Sequence, residues 1–232
     1  MVISCHETAT NNLMKYTYFF LGLLCLFSCS PSQFVKPLAK GQRAINTSIG
    51  GPLIKFAGAD VPMPFTSITG GYGLTKSLTL YGNFHSTALI FGVFQTELGI
   101  IQNVYFSDSL NIGFSISPGL NMAMDKWEYN FKLWPRLDFN AYWSFNKNRN
   151  FIYVGVSNWF ELSKTKGYGE PPIKHWLFNP ELGHSFVTRK WNFKLEFKLL
   201  AAGLLRYPNV IEYVGFGERG AIGTYVGIAR WF

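Results

Sequence analysis

The chain has 232 residues, a net charge of +8, 48% hydrophobic residues, and 22 Phe, 12 Tyr, 7 Trp and 23 Gly. A mean hydropathy of +0.09 is too low for a bundle of membrane helices, and the length suits one large β domain. No glycine-rich loop precedes a helix, and no zinc-finger or recognition-helix spacing is present, so phosphate-loop and nucleic-acid chemistry are set aside.

The front end reads as a targeting segment. Lys15 precedes an apolar run at 16–27, which stops at Ser28 and Cys29. The run is short for a membrane helix and ends at a small residue, as a secretory signal does. Leu26, Phe27, Ser28 and Cys29 resemble the lipobox of bacterial lipoproteins. That resemblance implies cleavage after Ser28 and a covalent lipid on Cys29, the sole cofactor expected. A plain signal peptide cut near Ser30 is the alternative. Met14 and Lys15 open a normal signal, so 1–13 read as an overlong gene start. Cleavage removes Cys5 and Cys25 and leaves Cys29 alone, so no disulfide is expected in the mature chain. It also removes Glu7 and Lys15, and the charge stays at +8.

Residues 29–42 read as a lipidated tether: polar, with two prolines and no period. From 43 onward the chain repeats segments with a period of two, the mark of strands with one apolar face. The first two, 43–56 and 64–74, are the least regular. The third, 77–85, sets Leu78, Leu80 and Phe84 against Thr79, Tyr81, Asn83 and His85. The fourth, 89–106, carries Phe94, Leu98, Ile100, Val104 and Phe106 on one face. The fifth, 110–122, alternates Leu110, Ile112, Phe114 and Ile116 with Asn111, Gly113, Ser115 and Ser117. The sixth, 129–145, sets Phe131, Leu133, Leu137 and Phe139 against Lys132, Arg136, Asp138 and Asn140. The seventh, 151–162, uses Ile152, Val154, Val156 and Phe160. The eighth, 176–187, uses Trp176, Phe178, Leu182 and Phe186 against Glu181 and Ser185. The ninth, 191–201, is the most regular: Trp191, Phe193, Leu195, Phe197 and Leu199 alternate with Asn192, Lys194, Glu196 and Lys198. The tenth lies at 221–232.

The connections alternate in length. Tight turns at 75–76, 107–109, 146–149 and 188–190 separate looser links at 57–63, 123–128, 163–175 and 203–220; the short 86–88 link breaks the pattern. The expected fold is all-β: an up-and-down antiparallel transmembrane β-barrel of about ten strands, occupying 43–232. Eight or twelve strands also satisfy the even count that two termini at one end require. Parity predicts register: a loop at 188–191 places Glu181 opposite Lys198 and Ser185 opposite Lys194, whereas the competing register opposes Glu181 to Glu196. The sixth and seventh strands pair Trp143 with Ile152.

Period two does not say which face points outward, and a soluble barrel has the opposite sense. Three features favour lipid. Aromatic residues gather at the strand ends: Phe106, Trp143, Phe151, Phe186, Trp191, Trp231 and Phe232 at one end, Trp127, Tyr129, Trp159, Trp176 and Phe178 at the other. A barrel of this size has a narrow interior that suits the Gly/Ser/Asn face. The chain ends in Phe232, although Arg230 stands where an apolar residue is expected. The whole of 43–232 resembles bacterial outer-membrane β-barrel proteins. The resemblance implies an outer-membrane location with both termini periplasmic, and outer-membrane lipid and the barrel assembly machinery as partners.

The polar face carries Glu97, Lys132, Arg136, Asp138, Glu181, Lys194, Glu196 and Lys198. Buried charges must be paired, so these residues read as a network filling the lumen; a pore for anionic solutes is the second reading. His85, Ser86 and Glu97 invite comparison with barrel enzymes acting on lipid A or phospholipid, but strand neighbours face opposite ways and no nucleophile elbow is present. His175 and His184 lack metal-ligand spacing. The expected function is non-enzymatic: envelope structure, or binding or limited passage of a small solute. A lipid-tethered periplasmic barrel holding an apolar ligand is the remaining alternative.

Overall fold

A computed structural model describes residues 33–145, 150–164, 172–206 and 211–232. The expected signal peptide, Cys29 and the expected 146–149 turn lie outside these residues. The chain falls into two compact units. The smaller includes the described residues 163, 164, 172 and 173, which form no strand. The larger is the barrel.

Its strands are β1 (Arg43–Phe56), β2 (Ala59–Pro62), β3 (Phe65–Gly73), β4 (Leu78–His85), β5 (Val93–Ser107), β6 (Ile112–Asp125), β7 (Phe131–Phe145), β8 (Asn150–Phe160), β9 (Trp176–Val187), β10 (Trp191–Leu205) and β11 (Arg219–Trp231). One short helix, α1 (Ser86–Ile90), fills the link after β4. Every pairing is antiparallel between neighbours in the chain, save that β3 pairs β1 across the β2 hairpin and β11 returns to β1. That last pairing, from Ala44 opposite Trp231 to Pro52 opposite Gly223, closes a wall of ten strands and leaves no open edge among them. The link expected to be loose at 57–63 contains β2. Ala57 and Gly58, with φ of 50° and 83°, form the two-residue turn that joins it to β1.

The registers expected from parity are the ones adopted. Lys198 pairs with Glu181 and Lys194 with Ser185; Trp143 pairs with Ile152. Thr188 N–H donates to the Trp191 carbonyl at 2.7 Å, closing the β9–β10 turn.

The apolar face points outward. On β10, Phe193 and Phe197 are 44% and 45% exposed, while Lys194, Glu196 and Lys198 are 6%, 1% and 7% exposed. Leu98, Phe114, Phe139, Val154 and Leu182 continue the same belt around the wall. Such a belt is far larger than a water-soluble surface carries, and strands of 14 or 15 residues, such as β6 and β10, exceed the roughly 10 needed to cross a bilayer. The soluble-barrel alternative requires the opposite sense of every strand and is not the fold adopted. Among the described residues no helix is long and apolar enough to cross a membrane.

Several aromatic residues expected in the outer girdles face inward instead. A bulge between Asn103 and Tyr105 reverses the end of β5. Val104 and Tyr105 are both exposed, and Phe106 turns inside against Tyr142. Phe151 and Trp159 are buried within the barrel, at 5% and 3% exposure, because they alternate with the outward residues of β8. Trp231 alternates with Arg230 and lies on the inner face. Arg230 itself points outward at the rim, 5.4 Å from the Trp191 ring and 5.2 Å from the Phe232 ring, so its charge rests on aromatic faces.

The narrow interior holds large tyrosines because glycines face them. A Cβ on Gly183 would lie 2.3 Å from the Tyr153 ring, and one on Gly113 would lie 2.2 Å from Tyr142. Gly99 and Gly119 flank the Tyr81 hydroxyl in the same way. Gly183→Ala is therefore expected to destabilise the barrel by about 1–3 kcal/mol through overpacking, read as a lower urea midpoint in lipid. An unchanged midpoint would show that the tyrosine and glycine do not share this space.

Candidate functional site

The inner face of the barrel organises charge into two clusters. In the first, Arg136 Nη2 lies 2.8 Å from Glu97 Oε1 and 3.0 Å from Asp138 Oδ2. It also donates to the Tyr81 hydroxyl at 2.9 Å, and that hydroxyl donates to Glu97 Oε1 at 2.8 Å. The Trp159 ring covers the guanidinium at 6.0 Å. In the second, Lys198 Nζ lies 2.9 Å from Glu181 Oε2 and 3.1 Å from Glu196 Oε1. Tyr153 donates its hydroxyl to Glu196 Oε2. Lys194 Nζ stands 4.0 Å from Glu196 Oε2. Lys132 is on the same face of β7, half-buried, four residues from Arg136 toward the long-loop end.

These side chains converge because their strands leave them no other direction. Lys194, Glu196 and Lys198 alternate with residues that face lipid. A charge on that outer face near mid-bilayer costs roughly 2–4 kcal/mol for a lysine or arginine, so the polar residues turn in and satisfy one another.

The chain ahead of β1 completes the site. The stretch read as a tether, in its described part from Gln33 onward, runs inside the barrel. Gln33 donates Nε2 to Glu97 Oε2 at 2.8 Å and accepts from Arg136 through Oε1. Leu38 N–H donates to Thr79 Oγ1 at 2.8 Å, and Ser115 donates its hydroxyl to the Val35 carbonyl at 2.8 Å. Val35 packs into an inner cluster with Tyr142, Phe151 and Tyr153, with Phe106 and Val187 beside it. Lys36 Nζ lies 3.3 Å from Ser144 Oγ and over the Phe106 and Tyr142 rings. The wall is hollowed to receive this segment. A Cβ on Gly71 would lie 2.8 Å from the Phe34 ring, and one on Gly73 would lie 2.0 Å from the Ala39 carbonyl. Gly41 and Gln42 bond back to Gly73 where the segment leaves for β1.

Sequence reasoning did not find Gln33, nor the bridging roles of Tyr81 and Tyr153. The available signal was the set of inward glycines opposite these groups, which mark where another side chain or backbone comes close.

His85, Ser86 and Glu97 do not converge on shared chemistry. His85 Nε2 lies 3.3 Å from Asn83 Nδ2 and 3.4 Å from Asn121 Nδ2, on the inner face. Ser86 bonds the Thr66 hydroxyl at 2.7 Å and donates to its carbonyl at 3.1 Å. Glu97 is held by Arg136, Tyr81 and Gln33. His184 points outward and stacks between Phe145 and Phe186. Among the described residues no three His, Cys, Asp or Glu side chains are placed to hold a metal ion.

No protein-family model matches the chain, and no curated protein matches its sequence. Among solved structures, its fold is similar to those of bacterial outer-membrane barrels. The NanC porin shares 8% identity at a TM-score of 0.43, over 81% of this chain and 98% of that one. An outer-membrane channel from Pseudomonas putida F1 shares 9% at 0.43, over 88% and 100%. The translocator domain of the autotransporter NalP from Neisseria meningitidis shares 9% at 0.39, over 98% of each chain.

Removing one partner of a buried ion pair strands the other. Arg136→Met is expected to cost about 3–5 kcal/mol, since Glu97 and Asp138 both lose their cation. Neutralising those two in the same chain, as Glu97→Gln and Asp138→Asn, should return most of that stability. Denaturation in lipid measures both; a single variant as stable as the parent would remove the network from the account.

Proposed function

We propose that the chain is a non-enzymatic β-barrel lipoprotein of the bacterial outer membrane, with a lumen closed at rest and a structural or solute-binding role in the envelope. One observation carries this reading. The ion-pair clusters span the inner face, and the segment from Gln33 to Ala39 is seated among them through both side-chain and backbone hydrogen bonds. A freely conducting pore keeps its lumen open to water; here Glu97, Arg136, Glu196 and Lys198 are all more than nine-tenths buried.

In this reading Cys29 carries the lipid, at the head of the segment that enters the lumen. The tight-turn end, where Arg43 and Phe232 exchange backbone hydrogen bonds, faces the periplasm with the start of β1 and the end of β11. Outer-membrane lipid and the barrel assembly machinery are the partners. An enzyme acting on lipid A or phospholipid would draw on His85, Ser86 and Glu97, and the separate partners of these three groups give that alternative no support.

Proteoliposomes of the full-length protein are expected to retain a trapped small dye as well as protein-free liposomes do. The same barrel lacking residues 33–39, with its heat-dependent gel mobility intact, should leak faster. Equal and rapid leakage from both would contradict a closed lumen.

A further inference from the structure

Beside the seated segment, toward the tight-turn end, the lumen contains a cavity of about 200 Å³. One side is the segment itself, with Phe34 and Leu38; the other is the wall, with Phe151, Val187 and Trp231. The lining is mixed: beside these apolar groups it carries the polar side chains of Gln33, Lys36, Gln42, Asn46 and Asn192. It also holds a pair on adjacent strands, Lys194 and Ser185, which sit directly opposite each other in register.

Neither group of this pair is fully engaged. Lys194 is 6% exposed, and its ion pair with Glu196 is 4.0 Å long, beyond hydrogen-bond reach. The two oxygens of Glu196 are already taken by Lys198 at 3.1 Å and by the Tyr153 hydroxyl. Ser185 is completely buried, and its hydroxyl has no hydrogen-bond partner among the described residues. Buried polar groups in folded proteins are nearly always satisfied. A buried ammonium and a buried hydroxyl, side by side on the wall of a cavity, are the donors that an anion needs.

We propose that this cavity binds a small monocarboxylate with an apolar body. The cavity's other ammonium, Lys36, is engaged by Ser144 and by the Phe106 and Tyr142 rings, so Lys194 is the one underused cation and calls for a single negative charge. A second negative charge would meet Glu196, which stands 4.0 Å from the same lysine. No arginine lines the cavity to offer the two-pronged fork that favours phosphate. The aromatic and aliphatic part of the lining takes the body of the ligand, while Lys194 and Ser185 fix its orientation. The volume is below the ~300 Å³ at which pockets for drug-sized ligands begin, which limits the ligand to one small ring or a short chain. This inference rests on the binding role proposed above and names its ligand class; dye retention tests closure of the lumen separately, so either can fail alone.

The test is calorimetric titration of the full-length protein in detergent micelles with benzoate, benzamide and inorganic phosphate. Saturable benzoate binding is expected, with benzamide at least tenfold weaker and phosphate weaker than benzoate. Lys194→Met should weaken benzoate at least tenfold. Because Lys194 also pairs with Glu196, Ala229→Phe provides a second variant: Ala229 lines the cavity on the inner face of β11, and the larger ring fills the space without removing a charge. It should abolish binding while heat-dependent gel mobility stays intact. No saturable benzoate binding to the parent protein would overturn the proposal. So would benzamide or phosphate binding as tightly as benzoate, or full benzoate affinity in Ala229→Phe.

Discussion

A strand that crosses a bilayer has one face on which charge is not tolerated, and the rest of this structure follows from that. Each ionic side chain in the spanning part of a strand is sent to the inner face, where it must find a counterpart of opposite charge. Arg136 on β7 meets Glu97 on β5, and Lys198 on β10 meets Glu181 on β9. The apolar residues between them need no specific partner, because hydrocarbon accepts any of them. The outside of the barrel is therefore set by alternation, and the inside by chemistry.

Ten strands enclose little space, and that space is filled by pairing large with small. Tyr153 occupies the room that Gly183 leaves, Tyr142 the room beside Gly113, and the Phe34 ring the room beside Gly71. The last of these links wall and segment: the glycines of β3 fit the chain that precedes β1. Filling the lumen with the protein's own N-terminal segment shields the charge clusters from water and positions the Lys194–Ser185 pair beside a partly apolar cavity. The proposed closure and the proposed binding thus both depend on this segment, and Gln33 joins it to the Glu97–Arg136 cluster.

The wall was legible in the sequence because its rules are local. Alternation placed the strands, turn length and charge parity placed Glu181 opposite Lys198, and the same parity placed Trp143 opposite Ile152. Proximity to a strand end proved a poor guide to facing: Phe151, Trp159 and Trp231 sit near ends but obey alternation and point inward. Phe106 escaped for another reason, since the bulge at Asn103 to Tyr105 has no marker in the residues themselves. The segment 33–39 was invisible as a lumen element because its partners, Glu97, Thr79, Ser115 and Arg136, lie on four different strands and impose no period on it. Its polarity and prolines describe an irregular chain equally well inside a barrel or outside one.

The apolar face of each strand, with Leu195 on β10, faces lipid, and the alternate face, with Ser117 on β6, faces the packed interior. Nitroxide labels at Leu195→Cys and, separately, at Ser117→Cys test this directly, in the full chain with serine at positions 5, 25 and 29, reconstituted in a bilayer. The label at 195 should collide readily with oxygen dissolved in the hydrocarbon and little with a water-soluble nickel reagent, whereas the label at 117, whose serine is 3% exposed, should be shielded from both. A shielded label at 195 together with an oxygen-accessible label at 117 would invert the barrel and contradict the assignment of both faces.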